Sequence, residues 1–243
     1  MLTEPTLEKL RSLRLSAMAD AWLAQRADPD IHELDFDTRL GMLVDAEHMS
    51  RDNKRLARLL REAKLRIPNA CIEDIDYAPK RELDRKLIRQ LGTCAWIAQH
   101  ANVIITGATG TGKSYLACAL AQQACRSGYR ALYRRMPRLL EELALAHADG
   151  TYTRLLGRLA KVDVLVIDDW GIAPLRDQER RDMLEILDDR YGMRSTIVAS
   201  QLPVENWHDH VADPTIADAL LDRLVHNAHR IKLQGPTLRK PQR

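Results

Sequence analysis

The residues Gly107-Ala108-Thr109-Gly110-Thr111-Gly112-Lys113-Ser114 match the pattern G-x-x-x-x-G-K-[ST] at every fixed position. In such a loop, glycines let the backbone curl until successive N–H groups point inward, forming an anion-binding nest at a helix N-terminus. Gly107, Gly110, Thr111 and Gly112 would form that cradle, Lys113 would supply a point charge for β- and γ-phosphates, and the Ser114 hydroxyl would ligate Mg²⁺. A glycine-rich turn can match the pattern by chance. Here, however, the loop follows the β-branched run Val103-Ile104-Ile105 and opens an apolar helical pattern, the context the motif requires. The expected ligands are ATP and Mg²⁺.

A second cluster lies downstream, where Val164-Leu165-Val166-Ile167 runs into Asp168-Asp169. Four apolar residues predict a buried strand, and two carboxylates at its end are costly if buried unpaired, a cost a metal ion offsets. Asp168 is expected to hold Mg²⁺ through water and Asp169 to polarise the attacking water. Without the glycine loop upstream, the pair would read as acidic residues capping a strand end in solvent. Tandem carboxylates favour a hydrolase that uses ATP as a switch over a small-molecule kinase, which needs no water-activating group beside its Mg²⁺ ligand. The Ser195–Ala199 run ends in Ser200-Gln201, and Gln201 is a candidate phosphate sensor, set against the plain reading of a polar residue that begins a loop.

Short buried runs at Val103–Ile105, Ala131–Tyr133, Val162–Ile167, Ser195–Ala199 and His229–Leu233 alternate with helical patterns, which predicts an α/β fold with a parallel sheet flanked by helices. The first third is different. Leu7, Leu10, Leu13, Met18, Ala21 and Trp22 recur at three- and four-residue steps, predicting one helix that opens near Thr6. A second is predicted from about Asp37 to Lys64, before Pro68 breaks the pattern, and Lys80–Gln99 reads as a third. The expected organisation is therefore an α-helical domain over 1–68, then an ATPase domain over 69–243 with a linker at 69–79.

With 45% hydrophobic and 29% charged residues, the 243-residue chain reads as globular rather than disordered. A net charge of +3 does not by itself indicate nucleic acid. Cys71, Cys94, Cys118 and Cys125 form no C-x-x-C pair, which argues for reduced thiols and against a zinc site or disulfide scaffold. The charged N-terminus has no signal-like apolar region, and no apolar run approaches the roughly 18 residues of a membrane helix. A cytoplasmic protein is expected.

The loop, V-L-V-I-D-D-W-G, S-Q-L-P-V-E-N-W at 200–207 and A-D-A-L-L-D-R-L-V-H-N-A at 217–228 together resemble the IstB family. These are AAA+ ATPases that help insertion-sequence transposases and are relatives of the helicase loader DnaC. The resemblance covers essentially the whole chain and implies a P-loop AAA+ core. It also implies a helper that assembles as an ATP-bound ring or helical oligomer on duplex DNA, presents a target to its cognate transposase, and is discharged by hydrolysis. Gln201 matches the first sensor. Arg223 matches the arginine finger that reaches a neighbouring subunit's ATP, against the alternative of a helix salt bridge with Asp222 or Asp218.

Two departures stand out. AAA+ proteins usually carry Glu where Asp169 stands, which sets the carboxylate back by roughly 1.5 Å. Only ten residues follow Leu233, too few for the helical lid of many relatives; Arg239 could take the place of a lid-borne sensor, against the reading of these residues as a mobile tail.

Positive charge is concentrated. Arg126, Arg130, Arg134, Arg135 and Arg138 have no acidic residue between them, and a helical pair over 136–160, broken at Asp149-Gly150, carries Thr151, Tyr152, Arg154 and Arg158, with Lys161 just beyond it. In the family this region resembles a helical insertion that tracks the DNA backbone, so Arg134, Arg135, Thr151, Tyr152, Arg154, Arg158 and Lys161 are the candidate duplex contacts. The plain alternative is a solvated basic face. Arg51 to Arg66, with seven basic residues against two acidic ones, is a second candidate for DNA or transposase contact. A DnaC-like replicative helicase loader is the nearest rival reading.

Overall fold

A computed structural model of the chain describes residues 3–238; Arg239 lies outside the described residues. The chain divides into two compact units between Arg58 and Leu59. The first contains α1 (Thr3–Ser12), α2 (Ser16–Ala27) and most of α3 (Phe36–Ala63). The single helix expected over Thr6–Trp22 is therefore two. Leu15 N–H bonds Leu10 O and Arg14 N–H bonds Arg11 O, both at 2.9 Å, with Arg14 left-handed at φ +60°. This is a Schellman stop with arginine where glycine is usual, so leucine periodicity runs straight across a break it cannot register. Glu47 of α3 caps α2 by accepting from Ala17 N–H (3.0 Å) and Met18 N–H (3.2 Å). Leu13, Phe36, Val44 and Met49 remain exposed in this unit.

The second unit begins with the end of α3. The helix expected over Lys80–Gln99 is reduced to α4 (Arg85–Gly92) and α5 (Ala95–Ala98), because Cys94 sits at φ +60° between them. Next come β1 (Asn102–Gly107), α6 (Lys113–Arg126), β2 (Ala131–Arg135), α7 (Met136–Asp149), α8 (Tyr152–Lys161) and β3 (Val164–Trp170). The chain continues through α9 (Asp177–Asp188), β4 (Ser195–Ser200), α10 (Trp207–Val211), α11 (Pro214–Val225) and β5 (Ala228–Leu233). Among the described residues no helix follows β5, and no helix is long and apolar enough to cross a membrane.

All five strands are parallel, in the order β2-β3-β4-β1-β5. The parallel α/β sheet flanked by helices that the sequence predicts is present. β1 lies inside the sheet, so the loop leaving it opens at the carboxyl edge beside the ends of β3 and β4, where ligands of open α/β sheets bind. Ile104, Leu165, Ile167 and Val198 pack beneath α7, α9 and α11 on one face, while α6 buries Leu116, Ala117, Cys118 and Leu120. Burial pushes the Cys118 and Cys125 thiols up to about 11, so both behave as inert core residues.

One buried cation holds the opposite edge of the sheet. Arg190, 1% exposed, donates to Leu159 O at 2.6 Å, Val162 O at 2.9 Å, Thr196 Oγ1 at 3.1 Å, and Ser195 O. Replacing it leaves these buried acceptors without a donor. Arg190→Ala should lower stability against urea by roughly 3–5 kcal/mol. A change below about 0.5 kcal/mol would show that water or a neighbour takes over the acceptors.

Candidate functional site

The glycine loop is built as its sequence requires. Gly110 (φ +84°) and Gly112 (φ +96°) take left-handed backbone that a side chain would strain. Gly112 is the N-cap of α6 without a side-chain capping bond, so the first N–H groups of that helix remain available to an anion. The Lys113 ammonium folds back onto Gly107 O (2.7 Å) and Ala108 O (2.8 Å). Thr111 Oγ1 donates to Ala108 O (2.8 Å), and the buried Arg81 guanidinium holds Thr111 O at 2.7 Å. Leu238 N–H bonds Gly110 O (2.9 Å), laying the chain beyond β5 against the loop. The loop borders a cavity of about 300 Å³ lined by Arg66, Lys113, Ser114, Tyr115, Asp169 and Gln201. It also borders a second cavity, of about 590 Å³, toward β5.

The carboxylates come from the end of β3. Asp168 is 1% exposed, accepts the Tyr133 hydroxyl at 2.6 Å and the Asp169 N–H at 2.9 Å, and faces Arg66 at 3.8 Å. Burial and this carboxylate push the Tyr133 phenol far up, so it stays a donor. Asp169 sits at φ +60°, where β3 slips register against β4 between Ile167 and Trp170. That local kink turns Asp169 from strand to cavity. Its carboxylate accepts from Arg135 Nε at 2.7 Å, which raises the Arg135 guanidinium pKa. With Arg135 half exposed, such a pair is worth about 1 kcal/mol or less and is readily broken. Gln201 Oε1 accepts from Thr109 Oγ1 at 2.7 Å, bringing the end of β4 onto the loop.

Arg223 lies elsewhere. Asn102, the first residue of β1, donates to Arg223 O at 2.9 Å, which puts Arg223 roughly 16 Å of strand away from Gly107 at the other end. Its guanidinium bonds Asp188 at 2.5 Å and Asp222 at 3.4 Å, over the Tyr191 ring. Asp218 instead pairs with His208. Arg223 is thus at the wrong end of the sheet for its own glycine loop.

A model of the IstB-like ATP binding protein family matches residues 8–243. A Sinorhizobium fredii protein named as an insertion-sequence ATP-binding protein is 50% identical over 243 residues, covering 100% of this chain and 99% of the relative. A Pseudomonas fluorescens counterpart is 54% identical, over 84% of this chain and 88% of its own. The chain belongs to the IstB-like ATP-binding family. Among solved structures it is similar to DnaI (22% identity, TM-score 0.59, 73% of this chain and 94% of that one). It is also similar to the DnaC helicase loader (20% identity, TM-score 0.56, 68% and 97%). These likenesses are to the fold.

In this IstB-like chain the basic region is smaller than the charge run implies. Arg134 is not at the surface: it is 7% exposed and bonds Glu142 (3.0 Å) and Tyr133 O (2.9 Å). Strand alternation turns it inward. Arg135 is engaged by Asp169, and Thr151 Oγ1 by Asp149 at 2.6 Å. Tyr152 stacks on His147 and places its hydroxyl within 3.0 Å of Asp182 and 2.7 Å of Glu185. Arg154, Arg158 and Lys161 stay exposed on α8 and, with Arg130, line a groove of about 540 Å³. Sequence reasoning missed Arg81 and the Tyr133 hydroxyl, which a turn and strand register bring in; Arg66 it placed with DNA or transposase contact rather than at the loop, and Arg130 it noted only as part of a basic run.

Gly112→Ala should weaken binding of a fluorescent ATP analogue at least fivefold, because a Cβ there strains the backbone and meets Arg81 Nη2 at 2.8 Å. Gly157→Ala on α8, with open space around it, should bind normally and be as stable or slightly more so. Equal affinity of the two variants would contradict the loop geometry.

Proposed function

We propose that this chain is an ATP-controlled helper of insertion-sequence transposition. In its ATP-bound form it assembles as a homo-oligomer on duplex DNA, presents that DNA to a cognate transposase, and is discharged by ATP hydrolysis. One conjunction carries the reading: an anion nest and Asp169, the neighbour of buried Asp168 at the end of β3, meet at one cavity, in a chain half identical to a protein named for ATP binding in an insertion sequence.

The hard oxygen donors fit Mg²⁺, which Ser114 and Asp168 would hold. Held there, Mg²⁺ would supply positive charge against the phosphate oxygens. Lys113 moves from the loop carbonyls to the phosphates. Asp169, released from Arg135, orients the attacking water, and Gln201 contacts the γ-phosphate. Arg154, Arg158 and Lys161 track duplex phosphates, a contact that weakens steeply with salt. The helical residues to about 68, with their exposed Phe36, Val44 and Met49, make the oligomer and partner contacts, and the protein works in the cytoplasm. A replicative loader would share the core chemistry. Relatives at half identity favour the transposition helper over fold likeness near one fifth.

Because Arg223 sits far from its own loop, its finger role requires a neighbour. Arg223→Ala should bind ATP nearly normally and lose hydrolysis by roughly 10³-fold or more. Mixed with Lys113→Ala it should regain part of the activity, in proportion to mixed oligomer. Mixed oligomers that stay inactive would place Arg223 in a structural role.

A further inference from the structure

We propose that Arg66 is a nucleotide-contacting residue of the same subunit, binding the terminal phosphate and so distinguishing ATP from ADP. The proposal rests on the nucleotide-site reading above and adds to it a residue supplied from outside the two motifs.

The argument begins with charge. Of the six side chains named above as lining the 300 Å³ cavity, only Lys113 and Arg66 are cations, and Asp169 adds a carboxylate. A triphosphate carries several negative charges, which one ammonium does not match. Arg66 stands 3.8 Å from Asp168 Oδ2, beyond hydrogen-bond length, and remains 43% exposed. Its influence on the Tyr133 phenol opposes that of Asp168, so it faces the same corner. Beside the Tyr133 hydroxyl and 3.8 Å from Asp168, a guanidinium still has more N–H donors than these two partners take up, and its planar fork suits phosphate.

The backbone fixes the approach. α3 stops at Ala63, and Lys64 turns at φ +51°, so Arg66 leaves the helix within two residues. Leu65 and Ala70 are buried on either side of it. Tyr115, on the first turn of α6, accepts from Cys71 N–H at 3.4 Å and donates to Cys71 O at 3.3 Å. The segment is thereby tied to the same helical turn that carries Lys113 and Ser114. The alternative is that Arg66 merely neutralises Asp168. That role would affect every nucleotide alike, or stability alone.

Binding of a non-hydrolysable ATP analogue and of ADP, each with Mg²⁺, separates the two roles in the full-length protein. Arg66→Ala should weaken the analogue about tenfold or more and ADP less than about twofold, with Arg66→Lys intermediate. Thermal unfolding of both variants should stay near wild type, and Arg66→Lys carries the comparison should the alanine variant fold poorly. If Lys113→Ala abolishes binding while the Arg66 variants keep the wild-type preference, the Arg66 contact is refuted and the nucleotide site stands. Equal weakening of both nucleotides also overturns the contact. If Lys113→Ala leaves both affinities unchanged, the nucleotide site itself falls, and this proposal with it.

Discussion

Asp168 is a carboxylate at the end of four apolar residues, 1% exposed, where an unpaired charge is strongly disfavoured. The surrounding structure answers that constraint. Tyr133 donates to it from the neighbouring strand, the Asp169 N–H donates from a kinked backbone, and Arg66 approaches from the turn after α3. Each partner has a further consequence. The kink aims Asp169 into the cavity, and Tyr133 fixes the corner in which β2 meets β3. Arg66 brings a second cation to the glycine loop.

The loop itself adds the complementary half. Its Gly107 and Ala108 carbonyls accept from Lys113, and Arg81 braces it through Thr111 O. Open N–H groups at the start of α6, the cations Lys113 and Arg66, and Asp169 and Gln201 all line or border the cavity. Arg223 belongs to a different surface, at the amino ends of the strands beside Asn102 and Asp188. A parallel sheet separates these two surfaces by the length of β1. In the proposed oligomer, the finger edge of one copy meets the loop edge of the next.

Features set by a few adjacent residues were legible in the sequence: the glycine loop, the five strands, the break at Asp149-Gly150 and the position of Gln201 beside the loop. Features set by register or by unusual caps were not. Arg14 and Cys94 stop helices in left-handed backbone without glycine, so the periodic pattern ran past them. Arg134 belongs to a basic run, yet strand alternation buries it against Glu142, and Tyr152 is drawn to Asp182 and Glu185 on another helix. The Arg135–Asp169 contact joins the end of one strand to the kink in its neighbour, a pairing that no spacing rule encodes.

The central claim is that nucleotide state at this cavity controls assembly on DNA. Sedimentation of the protein with duplex DNA under Mg²⁺ and a non-hydrolysable ATP analogue, ADP, or no nucleotide tests it most directly. The account predicts large protein–DNA assemblies with the analogue, their loss with ADP, and faster ATP hydrolysis when duplex is present. Assemblies of the same size in all three conditions would contradict it.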